Sequence, residues 1–249
     1  MIVRNAREME SVRAACRVTA ETLQRVREHT REGVTTRELD RIAEEYITRQ
    51  RCLPAFKGYR GYPATLCTSV NEQIVHGIPS DYALRSGDIL SVDVGAVYKG
   101  YYGDAACTIL IGRVAPRHAL LAQAAEEALY KGLAQARAGN RVGDISHAVE
   151  SHVDRFGFSV VREFVGHGLG THLHEEPQVP NYGSPATGAR LKEGMLLAIE
   201  PMVNEYSPHV RYLPDKWTAT TIDGGFSAHF EHTVIVTANG PEIMTRLGE

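Results

Sequence analysis

The feature that most constrains this chain is the position of four acidic residues inside apolar segments. Asp93 and Asp104 lie eleven residues apart in SVDVGAVYKGYYGDAACTIL, and Glu200 in LLAIEPM and Glu231 in AHFEHTVIV interrupt apolar stretches far downstream. An ionised carboxylate in low dielectric is costly unless a cation or hydrogen-bond donors compensate it, and these segments contain few lysines or arginines. The sequence therefore predicts a fold that gathers four carboxylates around bound metal.

The ligand set predicts two metal ions rather than one. His167 in EFVGHGLGTHLHEEP is a fifth candidate ligand. One divalent ion would leave two of the four negative charges uncompensated, whereas two ions neutralise them, with Asp104 and Glu231 as the natural bridges and the metals about 3.5 to 4 Å apart. A shell of oxygen and nitrogen without thiolate suits Mn²⁺, Fe²⁺ or Co²⁺ and leaves Zn²⁺ open. Such a pair can supply hydroxide near neutral pH and polarise a carbonyl, so amide hydrolysis is the expected chemistry.

Each acidic residue also has an ordinary interpretation. The Asp93 and Asp104 side chains can lie on one face of a sheet as cross-strand neighbours, or Asp104 can be a turn residue of a solvent-facing hairpin. Glu231 can lie on the wet face of a strand. The run Met195 to Ile199 before Glu200 is apolar and offers no group to solvate that carboxylate, which favours a buried set.

Three histidines have a setting that favours function over structure. His167 lies between Gly166 and Gly168, where missing side chains would let substrate and metal approach, and His174 follows seven residues later. His76, in NEQIVHGIP, also has a glycine beside it. Two other histidines lack such a setting and are predicted to be structural, namely His172 and His232.

Composition excludes several classes of protein. The chain has 249 residues, 43% hydrophobic and 23% charged, as in ordinary globular proteins. A net charge of −3 argues against nucleic acid or anionic lipid as a partner. No signal sequence and no run of about 18 apolar residues occurs, so we expect a cytoplasmic protein without a membrane span. The scattered cysteines predict neither disulfides nor a zinc knuckle, namely Cys16, Cys52, Cys67 and Cys107.

Each of two similar halves has two helices followed by strands, which predicts an α+β fold. The first half, about 5–112, has a helix over about 5–30 closed by Gly33, a second helix opened by the capping box Thr35 and Glu38, and then strands ATLCTSV, EQIVHGI, DILSVDVGAV and DAACTILIG, the last two joined at Lys-Gly-Tyr-Tyr-Gly.

The second half, about 113–249, repeats this order within a single domain. We predict helices from Pro116 to Arg137 and from Asp144 to Phe156, then strands SVVREFVGH and GMLLAIEPMV and a hairpin in WTATTIDGGFSAHFEHTVIVT that turns at Asp-Gly-Gly. A shift of 106 residues superposes five pairs, namely Glu21 on Glu127, Leu23 on Leu129, Gly33 on Gly139, Leu39 on Ile145 and Ile47 on Val153.

These segments resemble the metal-binding motifs of type I methionine aminopeptidases over nearly the whole chain. The matching segments are SVDVGAVYKGYYGD, FVGHGLGTHLHEEPQVPNY, LLAIEPM and FEHTVIVT, with NEQIVHGIP ahead of them. The resemblance implies the pita-bread fold, two pseudo-symmetric halves around a curved antiparallel sheet with helices outside. It also implies removal of the N-terminal methionine from nascent chains, with preference for a small second residue, by a monomer that meets those chains at the ribosome.

The resemblance also implies roles for individual residues. Asp93 and Glu231 would hold one ion and His167 and Glu200 the second, with Asp104 and Glu231 bridging. Glu200 would shuttle the proton, His76 would contact the scissile amide nitrogen and His174 would stabilise the oxyanion. The methionine pocket would use four further residues, namely Tyr59, Tyr62, Cys67 and Trp217.

Two departures and two alternatives accompany the resemblance. Many bacterial members have cysteine where this chain has Phe56 and an aromatic residue where it has Leu173, which bears on the pocket shape.

A proline-specific aminopeptidase would need a separate N-terminal domain, and only four residues precede the first predicted helix. A binding protein of the same fold that has lost catalysis would have lost ligands, and all five are present.

Overall fold

A computed structural model of the protein describes residues 1–246, which contain four α-helices, a short 3₁₀ turn at Tyr59–Gly61 and fifteen strands. The helices are α1 Ala6–His29, α2 Thr36–Arg49, α3 Pro116–Leu133 and α4 Val142–Asp154. The strands are β1 Leu53–Pro54, β2 Leu66–Val70, β3 Gln73–Val75, β4 Ile89–Tyr98, β5 Tyr101–Leu110, β6 Ser159–Val160, β7 Gly166–Gly168, β8 Glu175–Val179, β9 Leu196–Ile199, β10 Met202–Asn204, β11 Val210–Tyr212, β12 Ala219–Thr221, β13 Ser227–His229, β14 Glu231–Thr237 and β15 Gly240–Ile243. None of these helices is both long and apolar enough to cross a bilayer.

The strands form one large antiparallel sheet and two small ones. The large sheet runs β1-β4-β5-β14-β9-β7-β8, with β2 also on β4 and β15 also on β14. The small sheets are β13-β10-β6 and β11-β12-β3. In the large sheet, β5 of the first half pairs directly with β14 of the second half, with Glu231 opposite Ala106. The predicted α+β architecture is therefore confirmed.

Helix α1 is an amphipathic helix that packs across this sheet. The Asn5 side chain accepts a hydrogen bond from the Glu8 N–H and caps its first turn. Its inner face includes Val12, Cys16 and Val26, all without solvent exposure. The helix ends at His29, before the predicted stop at Gly33, because the backbone leaves the helical conformation at Thr30.

The three other predicted helix starts had different outcomes, and the start of α3 at Pro116 is confirmed. The capping box at Thr35 and Glu38 is confirmed. The start at Asp144 was wrong: α4 begins at Val142, and the Asp144 carboxylate reaches back to accept the Arg141 N–H at 2.7 Å, so Asp144 lies inside the first turn. Helix α3 ends at Leu133, short of the predicted end at Arg137.

The 106-residue repeat appears in the helix contacts. Shifted by 106, α2 (Thr36–Arg49) covers residues 142–155, and α4 is Val142–Asp154. The Tyr46 hydroxyl donates to Glu21 at 2.9 Å in the first helix pair, and His152 contacts Glu127 at 3.0 Å in the second, each residue 106 positions after its counterpart. The division near residue 112 stays a prediction, and residues 247–249 of the second half lie outside the described part.

Several strand predictions were wrong. The hairpin over 217–237 does not form, because β12 pairs with β3 and β11 while β13 pairs with β10. The chain at Asp-Gly-Gly thus passes from one small sheet to the other. The predicted five-residue turn between β4 and β5 is only Lys99 and Gly100, both with positive φ, so Tyr101 to Gly103 belong to β5. Two predicted strands are divided: GMLLAIEPMV is interrupted at Glu200 and Pro201, and SVVREFVGH forms β6 and β7, which lie in different sheets.

We expect Gly103→Ala to destabilise the protein by about 3 kcal/mol or more, because a Cβ there would lie 2.7 Å from the Cys16 backbone of α1. Gly100→Ala, in the turn of the same hairpin, meets no atom within 4 Å and should cost about 1 kcal/mol for its positive φ. Urea unfolding monitored by circular dichroism measures both. Equal losses would show that α1 does not press on the sheet at Gly103.

Candidate metal centre

One cavity of about 390 Å³ contains every residue that the sequence proposed for the site. It lies where the two halves of the large sheet meet. Its lining residues are Phe56, Tyr59, Arg60, Tyr62, Cys67, Val75, His76, Asp93, Asp104, Phe164, Val165, His167, Leu173, His174, Glu200, Met202, Trp217, His229 and Glu231.

Asp93 and Asp104 enter the cavity from the same face of the β4-β5 hairpin. The register places Gly95 opposite Asp104 and Ala106 opposite Asp93, so the two carboxylates are diagonal rather than directly opposed neighbours. Asp104 is 4% exposed and lies inside β5, so the solvent-facing turn was the wrong interpretation. The Thr233 hydroxyl accepts from the Asp104 N–H at 3.0 Å and donates to its carbonyl at 2.8 Å, which fixes the backbone there.

The two glutamates come from adjacent strands of the second half. Glu231 opens β14 and is only 2% exposed, so the wet-face interpretation is also wrong. Glu200 follows β9 directly, and its carbonyl accepts from the Asn181 side chain at 3.0 Å. Because β9 pairs with β14, both carboxylates reach the cavity from the same region of the sheet.

The hydrogen bonds of His167 determine which ring nitrogen faces the acids. Nδ1 lies 2.9 Å from the Gly168 carbonyl, which can only accept, so Nδ1 carries the proton. Nε2 is left with its lone pair, 3.4 Å from Glu200 Oε1 and 4.0 Å from Asp104 Oδ2. This tautomer is the one that a metal-ligating histidine requires.

The glycines around His167 have a different purpose from the one expected. A Cβ on Gly166 would lie 2.4 Å from the Ala198 carbonyl, and one on Gly168 would lie 2.3 Å from the Glu176 carbonyl. The missing side chains therefore make room for the backbone of β9 and β8, rather than for substrate or metal. The close approach of these strands holds the His167 ring among the acids.

Ligand atoms of Asp104, His167 and Glu231 lie within 4.8 Å of one another, all on buried residues. In residues 1–246 one carboxylate oxygen each of Asp93, Asp104 and Glu231 is buried without a hydrogen-bond partner. Buried acceptors without donors are costly, and a divalent cation would satisfy all of them at once. The donor set therefore fits metal, and oxygen with one nitrogen suits the divalent ions proposed above.

The same burial changes the protonation of the acids as long as no cation is bound to them. Burial raises the pKa of Asp93 to about 7, and burial together with neighbouring carboxylates raises the pKa of Asp104, Glu200 and Glu231 well above the usual range. These shifts measure how strongly the site disfavours uncompensated negative charge. A bound cation would reverse them, because it favours the ionised form.

His76 is held in a strained backbone conformation beside the cavity. Its φ is +60°, uncommon for a residue with a side chain. A Cβ on Gly77 would lie 2.2 Å from the Thr68 carbonyl, and the Gly77 carbonyl accepts from the Thr68 N–H at 2.8 Å, so β2 fixes this segment. Burial lowers the pKa of His76 to about 4, and the ring is therefore neutral at pH 7. Strain of this kind is frequent at functional sites.

An apolar pocket adjoins the acids. Four of its residues are buried, namely Phe56, Tyr62, Cys67 and Leu173, and Tyr59 and Trp217 pack against them. The Tyr62 hydroxyl donates to the Leu66 and Gly77 carbonyls, each at 2.9 Å, and its ring meets Trp217 edge-on. Cys67 lies opposite Asp93 in the β2-β4 register, so the pocket begins next to the carboxylates.

Sequence reasoning missed several lining residues, of which His229 is the most notable. It is 2% exposed, its Nε2 has no partner within the described residues, and that atom lies 3.8 Å from Glu200 Oε2. Its position two before Glu231 would place both side chains on one face of a continuous strand, but the structure divides this segment into β13 and β14 of different sheets, so only the packing of those sheets brings His229 to the cavity. No sequence pattern marked five others, namely Arg60, Val75, Phe164, Val165 and Met202.

The two histidines predicted to be structural do not line the cavity. His172 has a side chain that is 81% exposed. His232 Nδ1 lies 2.9 Å from the Thr245 hydroxyl oxygen, and the ring is on the opposite face of β14 from Glu231.

With this geometry established, comparison with known proteins decides the family. The model of "Metallopeptidase family M24" matches residues 10–238. The chain belongs to metallopeptidase family M24. It is 49% identical over 247 residues to methionine aminopeptidase 1 of Bacillus subtilis, covering 99% of this chain and all of that one, and 47% identical over 246 residues to the methionine aminopeptidase of Clostridium acetobutylicum, covering 98% of each.

Solved structures confirm the pita-bread fold. The crystal structure of methionine aminopeptidase from Thermotoga maritima superposes with a TM-score of 0.97 at 45% identity, covering 99% of this chain and all of that one. The prolidase of Pyrococcus furiosus shares the fold at a TM-score of 0.76 and 24% identity, but this chain covers only 66% of it. The resemblance to type I methionine aminopeptidases is therefore confirmed, and the proline-specific alternative is not favoured.

In metal-free protein, we expect the free energy of unfolding of Asp93→Asn to rise relative to that of the unsubstituted chain as pH increases from 4 to 7. The folded-state pKa of Asp93 is about 7, above its unfolded value, so folding holds a proton that the unfolded chain releases, and stability falls as pH rises through this window. The buried histidines have lowered pKa values, which make stability rise with pH. Because they are the same in both proteins, their effect cancels in the difference between Asp93→Asn and the unsubstituted chain. Urea unfolding in EDTA at several pH values measures this difference, and a pH-independent one would contradict it.

Proposed function

We propose that this protein is a metal-dependent aminopeptidase that removes the N-terminal methionine of polypeptide chains and acts as one catalytic domain. The observation that carries the proposal is a single cavity that joins five candidate metal ligands to an apolar pocket lined by aromatic rings and a thiol. Such a pocket suits a flexible, polarisable thioether. The near-complete coverage of methionine aminopeptidases at 45–49% identity supports the same activity.

We propose two divalent ions in the cavity, Mn²⁺, Fe²⁺, Co²⁺ or Zn²⁺. Asp93, Asp104 and Glu231 would hold one, and Asp104, His167, Glu200 and Glu231 the other. When bound, the ions would supply Lewis acidity and a water nucleophile at neutral pH. The oxygens of Asp93, Asp104 and Glu231 that lack partners among residues 1–246, and the lone pair of His167 Nε2, support this assignment.

Protons would be moved and held by three side chains of the cavity. Glu200 faces both His167 and His229 and is placed to take a proton from water and return it to the leaving amine. His76 is neutral and meets Phe164 and Trp217 edge-on, so it can hydrogen-bond the scissile amide without adding charge. His174 would donate to the carbonyl oxygen as negative charge develops there.

The remaining parts of the proposal rest on the family resemblance. Tyr59, Tyr62, Cys67 and Trp217 would surround the methionine side chain, and a small second residue would be preferred. Action in the cytoplasm on nascent chains at the ribosome, by a monomer, likewise stays a prediction. A binding protein of this fold without catalysis is not favoured, because all five candidate ligands face the same cavity.

The protein supplied with Mn²⁺, Fe²⁺ or Co²⁺ should release methionine from Met-Ala-Ser. Release from Met-Leu-Ser should be at least about tenfold slower, since a small difference in side-chain size in a pocket is worth about 1 to 3 kcal/mol. Liquid chromatography with mass detection quantifies the free methionine. N-acetyl-Met-Ala-Ser is the control and should be inert because its amine is blocked. Equal cleavage of the Ala and Leu peptides would refute the second-residue preference, and no release from any peptide would refute the function.

Asp104→Asn should lower kcat by about three orders of magnitude or more, because it removes a charge shared by both proposed ions. It should also lower the metal retained after dialysis, measured by plasma mass spectrometry. Asp88→Asn is the matched control: Asp88 is another buried aspartate, bonded to Asn71 and Tyr82 outside the cavity, so its loss should lower stability but not the metal content of folded protein. Unchanged turnover in Asp104→Asn would show that the bridging assignment is wrong.

A further inference from the structure

Tyr59 contacts a catalytic candidate as well as the apolar pocket. It opens the 3₁₀ turn at Tyr59–Gly61, and its hydroxyl lies 2.8 Å from His174 Nδ1, with the two rings 5.3 Å apart. Within residues 1–246 neither group has another hydrogen-bond partner. The contact joins the turn that carries Tyr59 to a loop 115 residues later in the chain.

The loop that carries His174 is itself held in place. Glu175 Oε1 accepts from the Thr171 N–H at 2.9 Å, the Thr171 hydroxyl at 3.2 Å and the His172 N–H at 3.0 Å. Glu175 also pairs with Gly168, next to His167. The His174 ring is consequently fixed between Tyr59 on one side and His167, at 4.4 Å between ring centres, on the other.

The two neighbouring histidines have partners of opposite kind. The partner of His167 Nδ1 is a backbone carbonyl, which only accepts and so leaves a lone pair on Nε2. The partner of His174 Nδ1 is a phenolic hydroxyl, which can donate. A neutral imidazole that accepts at Nδ1 carries its proton on Nε2, the nitrogen left for whatever occupies the cavity.

We propose that Tyr59 is a positioning residue that donates its hydroxyl proton to His174 Nδ1 and so keeps His174 as the Nε2–H tautomer. This inference rests on the proposed function, in which His174 donates to the carbonyl oxygen of the scissile bond. The other tautomer would present a lone pair to that oxygen and repel it as charge develops. The cavity thus holds one imidazole prepared to bind a cation and one prepared to donate a proton in a hydrogen bond.

This role differs measurably from lining the methionine pocket. If Tyr59 acts through His174, Tyr59→Phe keeps the ring and its packing but loses the proton that selects the tautomer. We expect kcat for Met-Ala-Ser to fall about ten- to a hundredfold while KM changes less than about twofold. A residue that only binds methionine would instead raise KM and leave kcat unchanged.

The tautomer is read directly by NMR. Zinc-loaded, ¹⁵N-histidine-labelled protein at pH 8 has neutral imidazoles, and two-bond ¹H–¹⁵N correlations distinguish Nδ1–H from Nε2–H rings. His174→Asn identifies the His174 signals by their loss. We expect the Nε2–H form in the unsubstituted protein and a mixture of both forms in Tyr59→Phe.

Two matched variants serve as controls. Tyr62→Phe removes a hydroxyl of the same pocket that donates to backbone carbonyls, and should leave the His174 tautomer unchanged. Tyr46→Phe removes a phenol hydrogen bond of 2.9 Å to Glu21, outside the cavity, and should leave kcat unchanged.

Three results would overturn the proposal. They are an Nδ1–H form of His174 in the unsubstituted protein, an unchanged tautomer in Tyr59→Phe, and a Tyr59→Phe variant whose KM rises while kcat holds. If the unsubstituted protein released no methionine, the proposed function would fail, while the NMR result would still decide the Tyr59 contact by itself.

Discussion

The cost of burying negative charge determines how this molecule is built. Asp104 and Glu231 are almost inaccessible to water, and Asp93 and Glu200 face them across one cavity. Without a cation the acids can avoid the cost of buried charge only by holding protons, which is what the raised pKa values of all four express, with burial as the first cause of each. The strands around them must therefore hold the acids together against that cost.

Side-chain hydroxyls bond the backbone of the ligand strands where the strand ladder stops. Strands β5 and β14 pair only at Glu231 and His232. On either side, Thr233 bonds the N–H and carbonyl of Asp104, and Thr108 bonds the N–H and carbonyl of His229, all between 2.8 and 3.0 Å. These reciprocal bonds satisfy backbone groups that the sheet leaves open, so the ligand strands stay fixed where they diverge to form the cavity.

Some local signals in the sequence were correct, although the helix start at Asp144 was not, and the predicted long-range pairing at Asp-Gly-Gly was wrong. The capping box at Thr35 depends on residues three apart, and the helix repeat on a fixed shift of 106, so both could be read directly. The hairpin at Asp-Gly-Gly failed because a turn signal states only that the chain reverses, and not which strands lie nearby. Gly166 and Gly168 were expected to make room for substrate and metal, whereas the groups that lie against them are backbone carbonyls of β9 and β8.

The sequence by itself determined the chemistry: four acids in apolar surroundings need cations or protons once they are buried, and the motifs around them identify the family. Tertiary structure alone decided the arrangement. The place of His229 beside Glu200 and the contact of His174 with Tyr59, 115 residues earlier, depend on contacts between segments distant in the chain. Residue types fix which bonds a side chain can make, whereas the partner that it meets is fixed only when the strands pack.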